Sequence, residues 1–233
     1  GEQIPQLITT NIDTSVASVL FPALSNENDD TGRVKVITRN AISTSSYLLF
    51  PIMFGLAAAA EPLIRLLLTE KWMFSVPYLR LACIAYAFIP VNSTNLQAIK
   101  ALGRSDMFLR VEIVKKVLGI ALVLVTMYHS VFAIAVSNVF INVIAIFINA
   151  YPNKILMKYG VKEQIKDISP YLIVSLLMAV IVYAVTFLHI GDVATLILQV
   201  FVGIASYSLM SYILGFEPFF MLIEAFKKIT SNK

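Results

Sequence analysis

The sequence predicts an all-α membrane protein with about seven transmembrane helices, and three observations lead to this class. Of its 233 residues, 58% are hydrophobic and only 14% are charged, which leaves too little polar surface for a soluble domain. The charged residues fall in short clusters. Between these clusters lie apolar runs of roughly 20 residues, the length that a helix needs to cross a bilayer core.

The apolar runs divide the chain into segments. Residues 1–154 form a core with five spans, 155–168 a basic cytoplasmic linker, 169–214 two peripheral spans and 215–233 an amphipathic cytoplasmic tail. The predicted spans are 4–23, 39–60, 76–99, 106–128, 131–152, 169–189 and 193–214. Because residue 1 is Gly and a span follows almost at once, we expect an excerpt from a longer protein that lacks its N-terminal part.

The distribution of basic residues predicts the orientation of the chain in the membrane. The links after the first, third and fifth spans and the tail are rich in Lys and Arg, whereas the links 129–130 and 190–192 contain neither. By the positive-inside rule, the basic links and the C-terminus are cytoplasmic. The basic residues on that side are Arg33, Lys35, Arg39, Lys100, Arg104, Lys154, Lys158, Lys162, Lys166, Lys227, Lys228 and Lys233.

Polar residues inside two spans recur at helical spacing and mark faces that avoid lipid. In the first span, Asp13 shares a face with Gln6, Thr9, Thr10 and Ala17. An acid at this depth needs a partner, water or a proton.

Amides in the fifth span form a second polar face. Asn138, Asn142 and Asn149 recur with Ala145 at i, i+4, i+7 and i+11. This polar seam is either an interhelical hydrogen-bonding surface or a solvated wall that faces a substrate.

Basic residues in the fourth and third spans are candidates for binding an anion. On the fourth span, Lys115, Lys116, Glu112 and Gly119 share one face, and we expect Glu112 to pair with Lys116 at i, i+4, which leaves Lys115 less compensated. Alternatively, both lysines snorkel to the cytoplasmic interface as topology anchors. Arg80, near the outer end of the third span, is either an interfacial anchor or part of a path.

Several kinds of chemistry find no support in the sequence. Cys83 is the only cysteine, and His129 and His189 have no cluster at metal-ligand spacing around them, so no metal site and no cofactor is predicted. No phosphate-cradling glycine loop or nucleophile elbow occurs, and we expect no enzymatic activity. The basic residues flank apolar spans rather than one polar face, which argues against nucleic acid.

Three segments resemble, in order and spacing, the C-terminal half of a known transporter family. They are VASVLFPALS (16–25), FPIMFGLAAAAEPLIRLLLTEKW (50–72) and QAIKALGRSD (97–106). The chain is similar here to the Wzx-type oligosaccharide flippases of the MOP superfamily, which also contains the MATE exporters and the lipid II flippase. The resemblance implies one lobe of a MATE-like two-lobed transporter in the bacterial inner membrane.

The resemblance also implies a function and partners. Such proteins flip a polyprenyl-pyrophosphate-linked oligosaccharide from the cytoplasmic to the outer leaflet by alternating access, during the biosynthesis of surface polysaccharides such as O-antigen. The expected partners are this anionic lipid-linked sugar, membrane lipids, and the polysaccharide polymerase and chain-length machinery. Lys115, Lys116, Arg80 and the amide seam are then candidates for binding the substrate, and Asp13 for ion coupling or an internal ion pair. The alternatives are a MATE-like cation or drug antiporter and a membrane polysaccharide polymerase or ligase.

Overall fold

A computed structural model of the chain describes residues 2–27 and 30–231, and for residues 225, 226 and 228–231 it describes the backbone only. Residues 1, 28, 29, 232 and 233, which the predicted core and tail segments include, lie outside this range. The described residues form helices and turns without a strand, so the all-α class is confirmed. The helices are α1 (Gln3–Asn26), α2 (Thr31–Ala58), α3 (Ala60–Leu68), α4 (Val76–Ala87), α5 (Ile89–Ala101), α6 (Ser105–Thr126), α7 (Val131–Met157), α8 (Val161–Ala184), α9 (Asp192–Leu214) and α10 (Glu217–Ser231).

In the described part of the chain, six helical stretches are long and apolar enough to cross a membrane. They correspond to six of the seven predicted spans, and they make the chain a multi-pass membrane protein. The stretches are α1, α2, the run Glu70–Ala101 that contains α4 and α5, α7, the run Val161–Leu188 that begins with α8, and α9.

The remaining predicted span, 106–128, corresponds to α6, which has the length but not the composition of the other six. Its 22 residues would extend about 33 Å, enough to cross a bilayer core. Arg110, Glu112, Lys115 and Lys116 all lie within its first twelve residues. This density of charge distinguishes α6 from the six stretches above.

The third predicted span is two helices rather than one. α4 ends at Ala87 and α5 begins at Ile89, with Pro90 in the first turn of α5. Proline has no backbone N–H and its ring clashes with the carbonyl of the residue four positions earlier, so the helix breaks at this point. Beyond the break, Asn92 and Asn95 of α5 hydrogen-bond to residues of α7.

The predicted linker 155–168 is largely helical. α7 continues to Met157, a turn follows, and α8 already begins at Val161. The carboxylate of Glu163 accepts a hydrogen bond from the backbone N–H of Gly160 (3.2 Å) and thereby caps the start of α8. The predicted spans were too short at these ends, because a span was read from the apolar pattern and both helices continue beyond that pattern.

α2 lies at the centre of the fold, and its buried residues include Ile42, Leu49, Phe50 and Met53. α8 packs along much of α2, and a Cβ on Gly55 would lie 3.5 Å from the Met178 side chain. Because burial from lipid does not itself drive helices together, close approach and hydrogen bonds hold such a bundle. The helix pair α8 and α9, predicted to be peripheral, is joined to the core through this contact with α2.

Candidate functional site

The predicted amide seam on α7 joins α7 to α5. The side chain of Asn149 is fully buried, and its Nδ2 donates to Oδ1 of Asn92 at 2.9 Å. Asn92 in turn donates through Nδ2 to the backbone carbonyl of Asn142 (3.1 Å). Nδ2 of Asn142 donates to the carbonyl and to Oδ1 of Asn138 at 2.9 and 3.1 Å. At Asn149 the seam is therefore an interhelical hydrogen-bonding surface.

The seam continues into a second amide cluster, which was not predicted from the sequence. Asn95 and Gln164, 69 positions apart, donate to each other through their side-chain amides, both at 2.8 Å. Asn153 donates through Nδ2 to Oδ1 of Asn95 at 2.6 Å and to its backbone carbonyl at 3.1 Å. Asn153 follows Asn149 by four residues and extends the same helical face, which was the available signal. This cluster fastens α5, α7 and α8 together.

Beside this cluster, charged residues tie the start of α8 to the start of α2. Lys35 pairs with Glu163 at 2.9 Å and also donates to the backbone carbonyl of Lys158 at 2.7 Å. Arg39 pairs with Asp167, whose other carboxylate oxygen accepts a hydrogen bond from the hydroxyl of Tyr159 (2.9 Å). Part of the basic charge at this end of the bundle is therefore neutralised within the fold.

The predicted pairing of the lysines on α6 is wrong. Glu112 pairs with Lys115, three residues away, and not with Lys116. The side chain of Lys115 is only 17% exposed. Lys116 is exposed, and among the described residues it has no ion-pair partner. Lys116, not Lys115, is thus the less compensated cation.

Arg80 on α4 is engaged by three neighbouring groups. Its Nη2 pairs with Glu61 at 2.8 Å, and its Nε donates to the backbone carbonyl of Ala57 at 3.2 Å. The guanidinium also lies 5.6 Å from the ring centroid of Tyr183. It links α4 to the junction of α2 and α3 and to α8.

Asp13 on α1 is half-buried against α5, where the hydroxyl of Ser93 donates a hydrogen bond to its carboxylate. Among the described residues, no cation pairs with it. Of the two roles predicted for Asp13, an internal ion pair is therefore not what this structure contains.

An exposed polar surface on α1, here called the α1 stripe, consists of Asn11, Thr14, Ser15 and Ser18. Each side chain donates to a backbone carbonyl three or four residues earlier on the same helix, for example Ser15 to Asn11 at 2.7 Å. Their donors are satisfied within the helix while their oxygens still accept hydrogen bonds. The spacing i, i+3, i+4, i+7 was visible in the sequence, but the predicted face of α1 lay beside it.

A groove of about 680 Å³ runs along α9 between α2 and α10. Its walls are almost entirely apolar and include Pro51, Gly55, Met178, Gly203 and Leu222. The lining residues of α2, α8 and α9 lie well inside these helices, so the groove lies at the depth of the hydrocarbon. Its shape and apolar lining suit an acyl or isoprenoid chain.

A smaller cavity of about 320 Å³ lies between α6 and α7. Its polar lining side chains are Asn138, Ser137, Tyr78 and Glu2, and Gly119 also lines it. Asn138 is therefore the seam residue that a small molecule or water can reach. No group of three or more His, Cys, Asp or Glu side chains suited to a metal occurs in the described part of the chain.

Comparisons with known proteins point in one direction. Residues 1–77 match the model of a family described as polysaccharide biosynthesis protein. The chain is 33% identical over 111 residues to an "uncharacterized membrane protein in cps region" of Klebsiella pneumoniae, covering 48% of the chain and 23% of that protein. It is 26% identical over 110 residues to the lipopolysaccharide biosynthesis protein WzxC of Escherichia coli (strain K12), covering 47% of the chain and 22% of WzxC. The predicted resemblance to Wzx-type proteins of polysaccharide biosynthesis is confirmed.

Two further comparisons extend this result. The succinoglycan biosynthesis transport protein ExoT of Rhizobium meliloti (strain 1021) is 30% identical over 91 residues, covering 39% of the chain and 18% of ExoT. The lipid II flippase MurJ in an inward closed conformation superposes with a TM-score of 0.75 and 20% identity, over 90% of the chain and 44% of MurJ. The chain thus has the fold of part of a MurJ-like transporter. The sequence matches span less than a quarter of the length of these relatives.

Proposed function

We propose that the protein containing this chain flips a polyprenyl-pyrophosphate-linked oligosaccharide across the bacterial inner membrane, from the cytoplasmic to the outer leaflet, by alternating access. The main support for the proposal is that two independent matches agree. The sequence is similar to proteins named for polysaccharide biosynthesis and transport, and the fold is shared with a lipid II flippase. The first match supports a saccharide substrate, and the second supports a route across a membrane.

Two surfaces of the chain suit the two parts of such a substrate. The apolar groove along α9 offers a lipid chain a continuous hydrocarbon wall. The α1 stripe offers hydrogen-bond acceptors at membrane depth without adding charge, which suits the hydroxyl groups of a sugar. A polar headgroup that crosses beside α1 avoids the cost of entering hydrocarbon, while the chain remains in an apolar environment.

The cations of α6 are the proposed contacts for the pyrophosphate. Lys116 is exposed, so it can meet an anion without first breaking an ion pair. Lys115 must first leave Glu112. Arg80, Asn142 and Asn149 have protein partners in this conformation and would contact substrate only after the helices move, whereas Asn138 is reached through the small cavity.

Asp13 is the proposed ion-coupling group. It lies in the middle of a span with a single hydroxyl partner among the described residues, so a proton or a monovalent cation can replace that contact. The proposed orientation places the C-terminus in the cytoplasm. The polymerase and chain-length machinery, the other proposed partners, would take up the product on the opposite side, in the outer leaflet.

The proposal is tested by expressing the full-length protein in a bacterium that makes a matching polysaccharide but lacks its own flippase. We expect surface polysaccharide to return, because the lipid-linked precursor again reaches the outer leaflet. Lys116→Ala should lower surface polysaccharide by roughly tenfold at equal protein level, since charge-assisted contacts to phosphate are the stronger ones. The matched control is Arg110→Ala, another exposed cation on α6, which should change little.

Two results would contradict the proposal or its site. Resistance to cationic drugs without any return of polysaccharide would favour the exporter alternative. Restored polysaccharide that is equally insensitive to Lys116→Ala and Arg110→Ala would retain the function and reject the lysine as a substrate contact.

A further inference from the structure

The C-terminal helix α10 forms part of the groove wall. Phe219, Leu222 and Ile223 of α10 line the same groove as Pro51 of α2 and Ser208 of α9. Ser208 lies six residues before the end of α9, or about 9 Å along the helix axis. α10 therefore closes the end of the groove that lies nearest the C-terminus of α9.

A short turn at Gly215 and Phe216 connects α9 to α10. Gly215 adopts φ +67°, a left-handed conformation that glycine reaches without strain. The next residue, Phe216, is buried, and its ring centroid lies 4.9 Å from that of Tyr171 and 6.2 Å from that of Tyr47. The turn is therefore anchored at Phe216, directly before the start of α10.

Beyond this anchor, apolar packing holds α10 in place. Among the described residues, no ion pair and no side-chain hydrogen bond connects α10 to another helix. The charged residues Glu217, Glu224 and Lys227 are exposed, and so are Phe220 and Met221 on the neighbouring surface. An amphipathic helix of this kind rests in the membrane interface. Since its inner contacts are only partly buried, it opens at a lower cost than the central helices.

We propose that α10 is a hinged lid that occupies one end of the apolar groove and gives way to the lipid chain of the substrate. The space filled by Phe219, Leu222 and Ile223 continues the groove along α9, so a chain that extends beyond Ser208 meets α10. The lid follows from the geometry of this chain. The identity of the competing ligand rests on the proposed function.

The lid is tested by thiol labelling in lipid nanodiscs, which expose both membrane faces of the full-length protein to a water-soluble maleimide. Cys83, the only cysteine of this chain, is replaced with Ala, and Ser208→Cys places a reporter on the groove wall. We expect Leu222→Asp to raise the labelling rate of the Ser208→Cys thiol by roughly tenfold or more, because it releases the lid. The matched control is Met221→Asp, whose native side chain is 61% exposed, and it should leave the rate unchanged.

Two further variants exclude unfolding as the cause. Ala98→Cys, at a fully buried position of α5, should remain unlabelled in the Leu222→Asp protein. A protein truncated after Phe216 retains the aromatic anchor but lacks α10. Its Ser208→Cys thiol should be labelled as fast as the same thiol in the Leu222→Asp variant. Equal labelling rates with and without α10 would overturn the lid.

The competition is tested with undecaprenyl phosphate as the probe. Adding it should raise the labelling of Leu222→Cys several-fold, roughly, because the lid is displaced, whereas inorganic pyrophosphate should not. No response to undecaprenyl phosphate would overturn the competition. Because these readouts require no flipping, a positive labelling result without restored surface polysaccharide would reject the proposed function and leave the lid intact.

Discussion

The amide pair between Asn95 and Gln164 allows a quantitative prediction about what holds α5 to α8. Each side chain donates to the other at 2.8 Å in a fully buried site. Replacing either residue with Leu removes the pair and retains a side chain of similar size, so no large cavity forms. A hydrogen bond between membrane helices contributes about 0.6 kcal/mol on average.

The two single substitutions should differ in cost. Gln164→Leu removes the pair and the bond to the carbonyl of Tyr159 (3.3 Å), about 2 kcal/mol in all. The amide of Asn95 keeps partners in Asn153 and the carbonyl of Val91. Asn95→Leu leaves the side-chain oxygen of Gln164 buried without a partner, which adds about 1–3 kcal/mol, so its total cost is about 3–5 kcal/mol.

The double substitution should cost less than the sum of the two single ones. It leaves no unpartnered side-chain oxygen on Gln164. The contribution of the pair is also included once, whereas the sum of the two single costs includes it twice. We expect a cost of about 3 kcal/mol, and hence a coupling energy of about 2–4 kcal/mol between the two positions. The measurement is the free energy of unfolding of all four proteins in bicelles. Costs that add to within about 0.5 kcal/mol would refute a direct bond between the two side chains.

Two other predictions concern residues with competing roles. Arg80→Leu should lower the free energy of unfolding by about 1–2 kcal/mol, because it removes the contacts to Glu61, Ala57 and Tyr183. Transport per folded molecule stays unchanged if these structural contacts are the whole role of Arg80, and its loss at normal stability would support the proposed contact with the substrate. Asp13→Asn keeps a partner for Ser93 but cannot ionise, so gradient-driven transport should fall by roughly tenfold while Ser93→Ala has a smaller effect. Equal transport by Asp13→Asn and the unmodified protein would rule out ion coupling at this residue.

Much of the fold was predictable because it depends on properties of single segments. The length and apolar character of each run identify a membrane span, and the spacing of Asn138, Asn142 and Asn149 identifies a polar face. Segment boundaries were less accurate, as in 155–168, because a helix does not end where its apolar pattern ends. Residues 76–99 were predicted as a single span because their apolar run is continuous, although Pro90 within it is a residue that kinks or breaks helices.

Three features could be read from the sequence: the class of the protein, its resemblance to oligosaccharide flippases and the faces on which polar side chains recur. These follow from composition and from the fixed rotation of about 100° per residue along a helix. Which helix face packs against which neighbouring helix depends on the tertiary structure. In the folded bundle Glu112 pairs with Lys115, Lys116 stays exposed, and Asn95 pairs with Gln164. The groove requires α2, α9 and α10, which are distant in the chain and which only the folded bundle brings together.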